Sequence, residues 1–218
     1  MATAYPEEAT ASIAEEIGAY SNNKIVGFNF IKGETLQTSR LDSLNRAKLI
    51  YITGGDQNRF MGVVRDTPLH EIIKQAFSSG STIAGTSAGA AVMSKIMITG
   101  DQKTVQDYGD FEKIQYDNVV TQEGLGLLEN VIIDQHFIVR ARYNRLLSVL
   151  AEYPDHTAIG IDEGTALVVH KNKAKVVGES QVVVLSNPEN ISDREEKLVS
   201  FDNLKFSLFS PGDCFILK

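Results

Sequence analysis

Short segments rich in Val, Ile and Leu alternate along this chain with amphipathic helical stretches, and no other feature constrains the fold as strongly. A strand covered on both faces reads as a continuous apolar run, and parallel neighbours need a crossover between them, usually a helix. The pattern predicts an α/β fold with a mostly parallel central sheet and helices on both faces. A helix is expected over 7–20, where Ile13, Ile17 and Tyr20 recur at helical spacing after Pro6. Strands follow over 24–31 and 49–53, then a helix over 68–77, a strand over 82–85 and a helix over 90–97. Beyond a Gly-rich loop region come a buried strand over 130–133 and a long helix over 138–152, ended by Pro154. The closely spaced strands over 158–162, 166–170, 175–177 and 181–185 suit antiparallel pairing. The polar stretch 186–197, with Asn187-Pro188, reads as the loosest segment.

With 218 residues, 43% of them hydrophobic, and no repeats or linkers, residues 1–218 read as a single domain. The opening Ala-Thr-Ala-Tyr-Pro reads as the end of a strand whose body is missing. In a doubly wound sheet the first strand is usually central, so the natural chain is expected to start further upstream. The absence of a visible leader suggests the cytoplasm, and the same truncation leaves a secreted form open. A formal net charge of -7 without a basic stripe argues against a nucleic-acid partner. No apolar run approaches the ~20 residues of a membrane helix. The lone Cys214 excludes an internal disulfide and a Cys-based metal site, and its strand-like surroundings read as buried filler.

Chemistry enters at Gly85-Thr86-Ser87-Ala88-Gly89, a GxSxG pattern between an apolar strand and a helix. A serine on such a turn takes a strained backbone conformation and projects its hydroxyl above the sheet. The following amide, Ala88 N–H, points at any oxyanion that forms. A nucleophilic serine needs a base, and of the four histidines only His136 follows a buried strand of the parallel type. His70 sits in a surface helix, His156 in a turn and His170 at the end of an outer strand. Asp162 and Glu163 follow the strand over 158–162 in the corresponding position; one of them orients the imidazole, or simply caps the turn before Gly164. The order Ser, His, acid differs from that of the α/β-hydrolases. Gly54-Gly55 follows another strand and offers backbone amides as a second oxyanion donor.

Taken together, Gly-Gly-Asp-Gln at 54–57, Gly-Thr-Ser-Ala-Gly-Ala at 85–90, Asp-Gln-His-Phe at 134–137 with Arg140, Arg142 and Arg145, and Gly-Ile-Asp-Glu at 160–163 resemble the cyanophycinases, relatives of the aspartyl dipeptidase peptidase E. The resemblance covers roughly residues 5–185. It implies a flavodoxin-like three-layer sandwich related to class I glutamine amidotransferases, and a triad of Ser87, His136 and Glu163. Gly55 and Ala88 would form the oxyanion hole. The implied pocket is lined by Gln57, Asp134, Gln135, Arg140, Arg142 and Arg145. The implied reaction is hydrolysis of cyanophycin, an aspartate polymer whose side chains carry arginine, to β-aspartyl-arginine dipeptides, with no metal or organic cofactor. The partners to expect are cyanophycin or a β-aspartyl peptide, and a second copy in a homodimer. The arginines suit bidentate recognition of carboxylates, or make a solvated helix face.

The sequence departs from the family pattern in its missing first strand and in the loop over 99–126. Three other readings compete: an aspartyl or isoaspartyl dipeptidase like peptidase E, an amidotransferase-like binding domain, and a phosphate- or nucleotide-binding module. The last gives His136 no use.

Overall fold

A computed structural model describes residues 6–103, 111–193 and 197–217. Its chain contacts fall into two compact units, Met1–Ala90 and Ala91–Lys218. In the first, the expected opening helix is α1 (Pro6–Gly18), followed by α2 (Thr38–Asn45), β1 (Leu49–Ile52), α3 (Gln57–Val64), α4 (Pro68–Ser78), β2 (Thr82–Gly85) and the short α5 (Ala88–Ala91). Pro68 starts α4 at a position where its missing N–H costs nothing, and Leu69, Ile73 and Ala76 form the buried stripe. The Asp56 side chain accepts from Asn58 N and Arg59 N and so caps α3. β1 and β2 pair in parallel, with Ile52 opposite Gly85, so the turns after both strands lie side by side.

The strand expected over 24–31 does not form: these residues join no ladder. Their composition is strand-like, but a side chain takes the place of a neighbouring strand. Arg40 donates from Nη2 to Asn29 O at 2.7 Å. Its guanidinium lies 4.2 Å from the Phe30 ring centre and 5.5 Å from that of Phe28. The helix expected over 90–97 is also overturned. α5 ends at Ala91 and Ile96 already begins a strand, because the β-branched Ile96, Ile98 and Thr99 favour extension and the segment finds a partner.

The second unit contains β3 (Ile96–Gln102), β4 (Val119–Glu123), β5 (Val131–Gln135), α6 (Tyr143–Glu152), β6 (Thr157–Ile161), β7 (Thr165–His170), β8 (Lys173–Gly178), β9 (Val182–Glu189), β10 (Ser192–Asp193), β11 (Val199–Ser200), β12 (Asn203–Phe209) and β13 (Cys214–Ile216). Its largest sheet runs β12-β9-β6-β5, with β6 buried along its whole length. β5 and β6 are parallel, and β6 and β9 antiparallel. Ile132, Phe137, Leu146, Val149, Leu150 and Ala158 belong to the apolar core between this sheet and α6.

The fold is thus α/β, but the single mostly parallel sheet is not what the pairing gives. Among the described residues only the β1–β2 and β5–β6 ladders are parallel, and the other six are antiparallel. The cause is connection length: after β6 the strands follow one another through short turns, which cannot carry a parallel crossover. Parts of the expected loop over 99–126 are strand, since β3 runs to Gln102 and pairs antiparallel with β4 (Val119–Glu123); residues 104–110 lie outside the described residues. The segment expected to be loosest is ordered at its start, where β9 continues to Glu189 against β12. Cys214 is exposed, not buried. Side chains alternate along β13, and the inward one is Phe215, stacked on Phe209 with ring centres 4.3 Å apart.

One close approach fixes the β5–β6 edge. A Cβ on Gly160 would collide with the Phe137 ring, which is fully buried. Gly160→Ala is therefore expected to destabilise the protein by about 1–3 kcal/mol through overpacking. Urea unfolding followed by circular dichroism checks it, and an unchanged midpoint contradicts the packing.

Candidate active site

Ser87 stands between β2 and α5 with φ 52°, a left-handed conformation that a serine adopts only when its surroundings impose it. The expected strained elbow is present. The imposing contacts come from its two glycine neighbourhoods. A Cβ on Gly89 would collide with Ile52 O, so the turn can return over β1 only with glycine there. Gly54 lies against the serine: a Cβ there would stand 3.4 Å from Ser87 Cβ. Gly55 has φ 130°, outside the range of ordinary side chains, and Ala88 is buried at the start of α5. Gln57 is the first residue of α3, next to the Asp56 cap.

In the second unit, β5 and β6 pair in register with Gln135 opposite Ile161. His136 and Asp162 are therefore each the first residue past a parallel strand, where open α/β sheets carry their sites. His136 has φ 53°. Its Nδ1 lies 2.7 Å from Glu163 Oε1, with the imidazole a quarter exposed and the carboxylate half exposed. Of the two acids the sequence left open, Glu163 meets the imidazole. His70 lies within α4, His156 in the turn after α6 and His170 at the end of β7, as read from the sequence.

Asp162 has other work. Its Oδ1 accepts from Ile138 N and Val139 N, both at 3.0 Å, and its Oδ2 accepts from Ser180 Oγ at 2.7 Å. Burial raises the carboxyl's pKa, but hydrogen bonds from Val139 N, Ser180 Oγ, Glu163 N and Ile138 N outweigh it and hold the group below the usual carboxylate range. The turn it caps explains why the long helix expected from residue 138 starts only at Tyr143. Ala141 takes φ 48°, and Arg142 turns back to donate from Nη1 to Gln135 O at 2.6 Å and to Gln135 Oε1 at 2.9 Å.

The expected pocket residues divide by burial. Asp134 and Arg145 are buried and joined to each other through two hydrogen bonds, Nε to Oδ2 at 2.6 Å and Nη2 to Oδ1. Arg142 lies 3.5 Å from Asp134; burial and the neighbouring cations Arg145 and Arg140 push its pKa down to about 10. Arg140 is half exposed, with Nη2 4.0 Å from Glu163 Oε1. Sequence reading did not find the Asp134–Arg145 pair. Eleven residues separate the two, and no local pattern marks a strand-end carboxylate that meets the next helix.

A model of peptidase family S51 matches residues 4–177. The chain belongs to peptidase family S51. Among relatives of this S51 chain, a cyanophycinase of Nostoc sp. is 38% identical over 213 residues, covering 94% of this chain and 68% of the relative. A cyanophycinase of Geminocystis herdmanii is 35% identical over 214 residues, 95% of this chain and 75% of the relative. The solved structure of a peptidase from an acI-B1 Actinobacterium has the same fold, with a TM-score of 0.64 at 23% identity over 99% of this chain and 81% of that one. Among the described residues of the S51 chain, no helix is long and apolar enough to cross a membrane.

Because the Asp134–Arg145 pair is buried, removing one partner strands a charge. Arg145→Met is expected to cost about 3–5 kcal/mol, whereas the half-exposed Arg140→Met costs less than about 1 kcal/mol. Chemical denaturation of both variants decides it, and equal stabilities refute the distinction.

Proposed function

We propose that this S51 peptidase is a serine-type cyanophycinase in which Ser87 is acylated, His136 is the general base and Glu163 orients the imidazole. The observation that carries the reading is the 2.7 Å His136–Glu163 contact at the ends of two parallel strands. With Nδ1–H donated to Glu163, Nε2 is left as the acceptor that takes the proton from Ser87 Oγ. The carboxylate stabilises the imidazolium formed in that step. The amides of Gly55 and Ala88 would hold the oxyanion, a reading supported by the lie of Gly54 against Ser87. Collapse of the tetrahedral intermediate expels the amine, which takes the proton back from His136, and water then releases the acyl group by the same relay.

The relatives named cyanophycinase support the substrate. Each arginine of cyanophycin presents a free carboxylate, and of the pocket guanidiniums Arg140 is the most exposed. In this reading Arg140 binds that carboxylate, with Arg142 and Gln135 beside it, and Gln57 serves as a further substrate-binding residue. The buried Asp134–Arg145 pair holds the strand end and helix that carry them. The flavodoxin-like sandwich goes with the same reading, and the two parallel ladders support it.

Ser87→Ala and His136→Ala are each expected to lower kcat by several orders of magnitude, and Glu163→Gln severely. A serine-directed phosphonate should label Ser87. Wild-type protein should cut cyanophycin faster than Asp-X dipeptides or a neutral peptide. Faster cleavage of Asp-X dipeptides transfers the assignment to an aspartyl dipeptidase. Labelling of Ser87 with none of these substrates cut removes the substrate and keeps the chemistry.

A further inference from the structure

We propose that Asp162 is the positioning residue for His136, holding the backbone on both sides of the His136–Glu163 contact through its carboxylate. The inference rests on His136 being the base, as argued above. His136 leaves β5 in a left-handed conformation, and the next residues fold into a single helical turn, with Arg140 N bonded to His136 O and Ala141 N to Ile138 O. Such a turn begins with N–H groups that have no partner within it. Here the first donors, Ile138 N and Val139 N, both find Asp162 Oδ1, which comes from the neighbouring strand instead of the turn itself.

Asp162 is fixed in its turn. Its N–H donates to Gln181 O at 3.3 Å and Ser180 Oγ occupies its second oxygen. The carboxylate thus joins residues 138 and 139 to 162, while the imidazole joins residue 136 to 163. The two links stand side by side: the first is made of two hydrogen bonds, with the carboxylate itself fixed by a third from Ser180 Oγ, and the second is the His136–Glu163 contact. Glu163 is half exposed and its long side chain is costly to order, so its hold on the imidazole depends on the backbone beneath both residues being fixed. Without the carboxylate, two orphaned amides would draw the turn toward other acceptors and carry His136 with it.

The experiment is a kinetic and spectroscopic comparison. Asp162→Ala is expected to lower kcat about a hundredfold with KM nearly unchanged, the scale of an ångström-sized misplacement of a catalytic group. A low-field proton signal of the His136 Nδ1–Glu163 hydrogen bond is expected in the wild-type protein and should disappear in this variant. Asp162→Asn keeps the Oδ1 acceptor and is expected to recover most of kcat and the signal. A folded Asp162→Ala protein with wild-type kcat and an unchanged imidazole signal overturns the proposal. If the alanine variant does not fold, Ser180→Ala decides, because it frees one carboxylate oxygen. A several-fold loss of kcat with a weakened signal supports the proposal, and no change in either overturns it. If His136→Ala turns over at the wild-type rate, the assignment of the base fails, and that failure is visible whatever Asp162 does.

Discussion

The parallel ladder of β5 and β6 sets where the second unit's polar side chains can stand. Parallel pairing brings both strands to their carboxyl ends together, so Gln135 and Ile161 finish opposite each other and the next residues diverge from a common edge. His136 and Glu163 meet because they are one and two residues beyond that edge. An antiparallel pair would have placed them at opposite ends of the sheet. Gly160 makes the close approach possible by leaving room for the Phe137 ring, which anchors the chain immediately after His136. Phe137 N extends the register by one more bond, to Ile161 O at 3.2 Å. The site therefore begins on a backbone that the core already holds.

Polar groups beyond the edge are satisfied in layers. Deepest is the Asp134–Arg145 pair, which ties the end of β5 to α6 and is buried. A buried ion pair of this kind is weak evidence for net stability, since desolvation offsets most of the attraction, but it fixes a geometry strictly. Next comes Arg142, which spans Gln135 O and Gln135 Oε1 and shortens the helix by turning back to the strand. Outermost are Glu163 and Arg140, both half exposed. Four charged residues that share one motif in the sequence thus take three physical roles, separated only by how far each lies from water.

That separation explains what was legible. The serine turn, the histidine at a strand end and the neighbouring acid could be located because each depends on local pattern, an apolar run followed by an abrupt polar residue. The antiparallel run after residue 158 could be read from spacing. What escaped was everything decided by partners. The 24–31 segment has strand composition, yet it pairs with an arginine side chain and no strand. Residues 90–97 fit a helical period, yet the helix stops at Ala91, and Ile96 and Met97 pair with β4 as the start of a strand. From sequence alone Asp162 reads as an orienting acid or a cap of its own turn. It caps a turn on another strand, a possibility invisible without the register.

Ser87 and His136 share a further property: both are non-glycine residues held at positive φ, at 52° and 53°. Such a conformation costs of order 1–3 kcal/mol when the residue is not glycine, and a chain selected for stability alone would relax it. In each case a neighbouring structure maintains the strain. At Ser87 it is the collision that any side chain on Gly89 would make with Ile52 O; at His136 it is the ring of Phe137 on one side and the Asp162 carboxylate just beyond. Among the described residues seven other non-glycine positions also take positive φ, Asp66 and Lys171 among them, so the strain sets Ser87 and His136 apart only together with the contacts that hold it.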